Sequence, residues 1–390
     1  MNDMSLSINY AFEPIQNCKS SCFLTKNYQI YTSELIETVR LAAENQEKLL
    51  TTIEDIFTRL SEDKATNPVL VGAIPFDTTQ PSTLNIYRQH KKQNTESVKH
   101  FIKHQKCHSL TLSSQQRLVA REHFAKNIDE ALQQFEKNNL EKIVLSQAVD
   151  FELKHPQNPY ILVQTLAQKN AHAFSFVIPV EDNAYLLGAS PELLIFKQDQ
   201  VVRSNPLAGS RPLSDDEHIN QVRIHDLCAS SKDLYEHQVV VDSVCKHLKP
   251  FCQHLNISEK PEILKTTTMM HLSTVFEGQL KSKKTNALEL ALSLHPTPAI
   301  CGAPTQLAKD FILKHEGYDR HYFAGLVGWM DANGNGEWVV TIRCGLLTQS
   351  HLRLYAGAGI VKGSEAELEW NETEAKMQTL LKTLNATCET

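Results

Sequence analysis

Apolar residues recur along this chain with two different periods. Between residues 28 and 62, Leu35, Ile36, Val39, Leu41, Leu49, Leu50, Ile53, Ile56 and Leu60 follow helical spacing, and the pattern predicts helix throughout. The run from Val69 to Phe76 is apolar and short, as in a buried strand, whereas residues 80–110 are polar and basic and predict no core element. Helix is expected again at 113–138. From Lys142 the period changes to two, with Ile143, Leu145, Val149, Phe151 and Leu153 on one face of a strand.

Hairpins follow. The segments 174–180 and 184–188 flank Glu181-Asp182-Asn183, and 193–196 and 201–204 flank Gln198-Asp199-Gln200. Residues 214–250 read as amphipathic helix. Asn333-Gly334-Asn335-Gly336 is a strong hairpin signal between 324–329 and 338–347. A turn at 348–351 leads into a strand at 352–356, and a helix from about 368 to 384 closes the chain. Successive hairpins separated by helices predict an α+β fold of antiparallel sheets with helices outside. We expect one domain over 1–390, with an N-terminal subregion at 1–110 and a core at 113–384.

Composition narrows the function classes. The chain has 390 residues, with 39 Lys and Arg against 45 Asp and Glu, a formal charge of −6 that argues against nucleic acid as partner. Its nine cysteines are odd in number and show no CxxC pairing, which predicts a reducing, cytoplasmic setting. No signal peptide or membrane span is expected. Glycine is scarce, yet 11 of the 14 lie between Gly278 and Gly363, which concentrates tight turns and close backbone approaches in the last third.

Several clusters could carry chemistry. His100, His104 and His108 are four apart with Cys107 alongside, but the surrounding lysines favour a solvated segment over a metal site. Ala356-Gly-Ala-Gly-Ile-Val-Lys-Gly363 lacks both the spacing and the βαβ setting of a dinucleotide loop, and locally a tight turn is expected. Asp233 and Glu236 share a helix, as do Glu369, Glu372 and Lys376; if the two helices converge, their carboxylates suit Mg²⁺. Ser190-Pro191-Glu192 interrupts two apolar strands, so it marks an edge, a bulge or a ligand approach. A buried Glu192 could act as an acid, and a buried Lys142 as a base.

The ordered set of segments resembles the chorismate-utilising enzymes, most closely the isochorismate synthases of catechol-siderophore pathways. The segments are Gly72–Asp77, Lys142–Ser146, Gly188–Glu192, Pro206–Ser210, Lys232–His237, His271-Leu272, Phe276–Gly278, His295–Gly302, Asp319–Gly328, Trp338–Arg343, Ala356–Ile360 and Glu369–Thr373. The resemblance implies two large antiparallel sheets around a deep cleft, and a reaction in which water adds at C2 of chorismate while the C4 hydroxyl leaves. It implies Lys142 as base and Glu192 as acid, with Mg²⁺ held by Glu236 and Glu372 and with Asp233 and Glu369 behind them. Arg343 with the Gly357 and Gly359 backbone would take the enolpyruvyl carboxylate. Lys376 would offset the acidic cluster, and Gly209, His271, Ala299, Ile300 and Phe323 would line the ring.

Lys142 argues for water rather than ammonia as nucleophile. Ala299 and Phe323 stand where salicylate synthases tend to carry Thr and Tyr, and so favour stopping at isochorismate. Gln147 replaces an Arg usual after Leu-Ser, and Ile300 a common Leu. The implied protein is a cytoplasmic monomer handing its product to a downstream isochorismatase. Its rivals are a salicylate synthase, a menaquinone-pathway isochorismate synthase and a non-catalytic chorismate-binding scaffold.

Overall fold

The computed structural model describes residues 19–63, 65–94, 110–137 and 139–388. The histidine cluster at 100, 104 and 108 lies outside them. Eighteen of the described strands are joined by hydrogen bonds into one sheet system, and three more form a small separate sheet. The large system has two halves. In the first, Cys252–Ile257, Phe276–Leu280, Val201–Asn205, Leu193–Gln198, Gly336–Val340, Leu326–Asp331, Val69–Ile74, Thr83–Asn94 and Tyr28–Val39 lie side by side, all antiparallel. The hairpin of Tyr28–Val39 with Cys22–Leu24 passes into the second half, Phe174–Glu181, Ala184–Ser190, Cys344–Leu347, His351–Ile360, Lys142–Leu153 and Thr111–Arg117.

The halves pack face to face. Phe176, Ile178 and Leu186 of the second half share one buried cluster with Val71, Ile74 and Leu84 of the first. A second cluster covers the outer face of the second half, where Val149, Phe151 and Leu354 meet Leu162 and Leu166 of the helix Pro159–Lys169 and Leu380 of the helix Ala366–Thr383. This is the α+β architecture expected, with helices outside large antiparallel sheets. No described helix is long and apolar enough to cross a membrane.

Three elements differ from expectation, each for a local reason. Residues 28–39 form a strand, and helix occupies only Gln46–Ser61. The strand carries a register shift between Leu35 and Glu37, and Glu34 has φ of 59°. Such an irregularity breaks the two-residue period and leaves apolar spacings of three and four. Thr83–Asn94 is a strand whose first half is buried. Its polar positions are satisfied inside: Asn85 donates to the Pro179 carbonyl at 3.0 Å and accepts from Thr38 Oγ1 at 2.8 Å. The expected helix at 113–138 divides into an edge strand, Thr111–Arg117, and a helix, Arg121–Glu136.

The glycine-rich run 356–363 is neither a dinucleotide loop nor, in its first half, a turn. Gly357 and Gly359 continue the strand His351–Ile360 opposite Ser146 and Val144.

Candidate active site

The chain crosses between the two half-sheets at two adjacent places. Ala184–Ser190 belongs to the second half and Leu193–Gln198 to the first, so Pro191-Glu192 is a crossing point. Gly336–Val340 and Cys344–Leu347 are divided in the same way, and Thr341–Arg343 is the other crossing. The crossings are laced together: Ser190 Oγ donates to the Val340 carbonyl at 2.6 Å, and the Val340 amide donates to the Glu192 carbonyl at 3.1 Å. Proline suits a place where the ladder must end, because it has no amide to donate. Arg343 has φ of 50°, uncommon for a side-chain-bearing residue and one of the backbone costs of the crossing.

A cleft of about 270 Å³ opens at this junction. Every residue proposed above for substrate, acid or metal lines it, save Lys142, which lies just behind its wall. Lys142 is 1% exposed, and its Nζ is 2.8 Å from Glu236 Oε1. Gly359 makes room for that pair, since a Cβ there would stand 2.6 Å from Glu236 Oε1 and 3.5 Å from Lys142 Cε. The adjacent His237 anchors the Glu236 turn of the helix Ser231–Leu248 through a 2.7 Å bond between Nε2 and Thr274 Oγ1.

Glu192 is buried, and burial pushes its carboxyl up to about 7 despite the Leu207 backbone hydrogen bond and the charge of Lys142, which both pull it down. A carboxyl raised to about 7 and lying close to a buried lysine can serve as a general acid.

Cations and backbone donors share one side of the cleft. Burial lowers the Arg343 guanidinium to about 10, and Glu372 acts in the opposite direction. Among the described residues its side chain has no hydrogen-bond or ion-pair partner. Ser146 and Val144 turn their own amides away from the glycine strand, to Glu316 Oε1 and the Cys301 carbonyl. Their partners Gly357 and Gly359 are therefore non-hydrogen-bonded pairs, whose amides and carbonyls face the other way, toward the cleft. The Gly357 carbonyl accordingly accepts from Lys376 Nζ at 2.8 Å.

His271 is held near 3, first by burial and then by Arg343 and Lys376, so its ring is neutral. Its hydrogen bond to the Gly209 backbone leaves Nε2 buried and without a partner among the described residues. Gly209 has φ of 73°, a left-handed backbone that glycine takes without strain. Ala299, Ile300 and Phe323 form the apolar wall, where Phe323 stacks on Tyr355 with centroids 5.2 Å apart.

The acidic residues come with cationic partners. Glu372 Oε1 is 2.6 Å from Lys376 Nζ; burial pushes its pKa upward, but Lys376, Arg343 and Lys232 outweigh that and hold it below the usual value. Burial raises Glu369, which lies 3.6 Å from Lys232. Asp233 is gripped by Arg211, with contacts of 2.8 and 3.3 Å. Sequence reasoning gave Arg211 and Lys232 no role, although both stand in or beside quoted motifs. Among the described residues, no three Asp, Glu, His or Cys side chains are grouped as a ready metal cage. Glu236 and Glu372, which both line the cleft, nevertheless suit Mg²⁺, which takes few protein oxygens and completes its shell with water and substrate.

Gln147 occupies an ion-pair network. Its Oε1 accepts from Arg117 at 2.9 Å and its Nε2 donates to Glu374 at 2.8 Å, while Arg117 and Glu374 also pair directly.

A cleft at the junction of two antiparallel half-sheets, with a buried acid, a buried lysine and a cationic wall, defines an enzyme acting on a small anionic substrate. The chain belongs to the family of chorismate binding enzymes, whose model matches residues 63–385. It is 39% identical over 372 residues to the isochorismate synthase DhbC of Bacillus subtilis, covering 93% of each chain. Its identity to the isochorismate synthase EntC of Escherichia coli K12 is 40% over 319 residues, 81% of each. Among solved structures, DhbC of Bacillus anthracis superposes with a TM-score of 0.86 at 37% identity, covering 94% of this chain and 96% of that one.

Proposed function

We propose that this protein is an isochorismate synthase that converts chorismate to isochorismate and feeds 2,3-dihydroxybenzoate and catechol-siderophore synthesis. The observation that carries the reading is the presence of Glu192, buried with its carboxyl raised to about 7, and the buried Lys142 at one cleft with a cationic wall. Relatives bearing that activity in their names match most of the chain's length, which supports the same assignment.

Chorismate carries two carboxylates. Arg343 and the outward-facing amides of Gly357 and Gly359 bind the enolpyruvyl carboxylate by charge-assisted hydrogen bonds. The apolar wall of Ala299, Ile300 and Phe323 packs against the ring, and the neutral His271 Nε2 accepts a hydrogen bond at the ring end. Lys142 Nζ, acting as the free amine, takes a proton from the water that adds at C2, and Glu192 gives its proton to the departing C4 hydroxyl. The mechanism thus uses one group of each protonation state. Mg²⁺, held by Glu236 and Glu372 with Asp233 and Glu369 behind them, would supply positive charge for the ring carboxylate. Ala299 and Phe323 favour release of isochorismate without loss of pyruvate. We read the chain as a single-domain cytoplasmic monomer that hands its product to a separate isochorismatase.

Purified protein incubated with chorismate and Mg²⁺, followed by NMR from the earliest times, should show isochorismate and no pyruvate. Salicylate with stoichiometric pyruvate at early times would replace this reading with a salicylate synthase. Tight chorismate binding without turnover would replace it with a scaffold.

A further inference from the structure

A second cavity, of about 370 Å³, lies on the other side of Arg343 and Pro191, and these two residues line both cavities. Its lining holds Lys169, His172, Lys265 and Arg343 but no Asp or Glu. Threonine hydroxyls, among them Thr266 and Thr379, supply polar positions, and Leu264 and Leu380 supply apolar wall. Lys265 is paired at 3.1 Å with Glu217, which stands outside the lining, and Lys169 bonds Asn385 Oδ1 at 2.5 Å. Arg343 differs from both. Its backbone is fixed, since its carbonyl accepts from the Ala189 amide at 3.0 Å, whereas its guanidinium has no bonding partner among the described residues. A fixed root with an unbonded charged head can serve an anion on either side, though one guanidinium cannot serve two equally.

We propose that the second cavity binds a hydroxylated aromatic carboxylate, and that its occupancy weakens substrate binding by drawing on Arg343. The chemistry of the wall selects this class: a cationic pole for the carboxylate, hydroxyls for phenolic groups and leucines for ring faces. Such a compound forms when water cleaves the enol ether of an isochorismate-type product, releasing pyruvate, and a hydride acceptor of the nicotinamide class then removes two electrons from the dihydrodiol ring, so the enzyme would be restrained by a product of later reactions. The antagonism rests on the proposed role of Arg343 toward chorismate. Two separate sites sharing one residue give a finite coupling free energy, so the effect must saturate.

The experiment uses 2,3-dihydroxybenzoate as probe, with chorismate turnover measured on the full chain and on Thr379→Trp, which fills the cavity, and Lys265→Glu, which reverses a charge at its wall. The apparent KM for chorismate should rise about three- to tenfold and then level off. In both variants the half-effect concentration should rise at least tenfold, while KM and kcat without probe stay within twofold of the parent. Linear competition without a plateau, equal in parent and variants, would place the probe in the Glu192 cleft and overturn the proposal, as would no inhibition. Calorimetric titration of the probe into parent and variants reads the site without turnover. If chorismate is not converted the proposed function fails, yet tenfold weaker binding in the variants still supports the site and equal binding refutes it.

Discussion

Lys142 Nζ and Glu236 Oε1 meet at 2.8 Å behind a strand position where only glycine fits, for a Cβ at Gly359 would overlap the Glu236 carboxylate. The pair joins the strand that carries the proposed base to the helix that carries a proposed metal ligand. Geometry at this contact therefore controls two functions at once, although neither residue is near the other in sequence.

Gly359→Ala tests that control. The added methyl would stand 2.6 Å from Glu236 Oε1, so the carboxylate must swing away or the strand must shift. A displacement of about 1 Å at reacting groups costs on the order of a hundredfold in rate, and kcat/KM should fall by about that much. Thermal unfolding should change far less, because the strand keeps its ladder to Lys142–Leu153. Activity within threefold of the parent would remove the steric argument.

The acid and base can be separated by pH. Lys142→Ala and Glu192→Gln should each reduce kcat by about 10² to 10⁴, the usual span for general acid–base groups, with circular dichroism unchanged. Because burial raises Glu192 to about 7, its acid form is lost as pH rises through that value, and kcat/KM of the parent should fall above about pH 7. The residual activity of Glu192→Gln should lack that limb. A parent profile flat between pH 6 and 8 would show that another group is the acid.

Removal of Mg²⁺ is the third test. EDTA should stop turnover and added Mg²⁺ should restore it, with Glu236→Gln and Glu372→Gln each needing at least tenfold more metal for half-maximal rate. In the protein alone these carboxylates lie 2.8 and 2.6 Å from the amines of Lys142 and Lys376. Loss of the carboxylates should accordingly be felt in metal titrations more than in unfolding temperature. Full activity in EDTA would dismiss the metal assignment.

The hairpins were legible because turn and strands lie within a few residues of each other, as at Glu181-Asp182-Asn183 and Asn333–Gly336. The strand Tyr28–Val39 was not, since the irregularity at Glu34 gives its apolar residues helix-like spacing. Thr83–Asn94 was hidden by polar residues whose partners, Thr38 and Pro179 for Asn85, are far along the chain. The same limit applies to the site. The motif residues could be placed together through the family resemblance, but Arg211 on Asp233 and Lys232 on Glu369 depend on pairings that no local pattern announces. Nor does sequence reveal that Glu192 and Arg343 stand at neighbouring crossings between half-sheets.

A last prediction concerns stability away from the cleft. Glu337 is buried, accepts a short hydrogen bond from the Tyr28 hydroxyl, and lies near Lys92, whose Nζ is 4.1 Å above the Tyr28 ring. Burial outweighs both partners and pushes its carboxyl up to about 7. In the unfolded chain an ordinary glutamate ionises from about 4.5. Below that pH both states hold the proton and Glu337 imposes no penalty. Between about 4.5 and 7 the unfolded state loses its proton while the folded state keeps it, so stability falls as pH rises, and above 7 the loss levels off. The loss from Glu337 alone is on the order of 3 kcal/mol. Glu337→Gln keeps an acceptor for Tyr28 but cannot ionise. Its unfolding free energy from urea titration should therefore decline less steeply than the parent's between pH 5 and 7, with a residual slope from Glu192, whose carboxyl is raised in the same way. Parallel pH dependences in parent and variant would show that Glu337 is already ionised in the folded protein at pH 5.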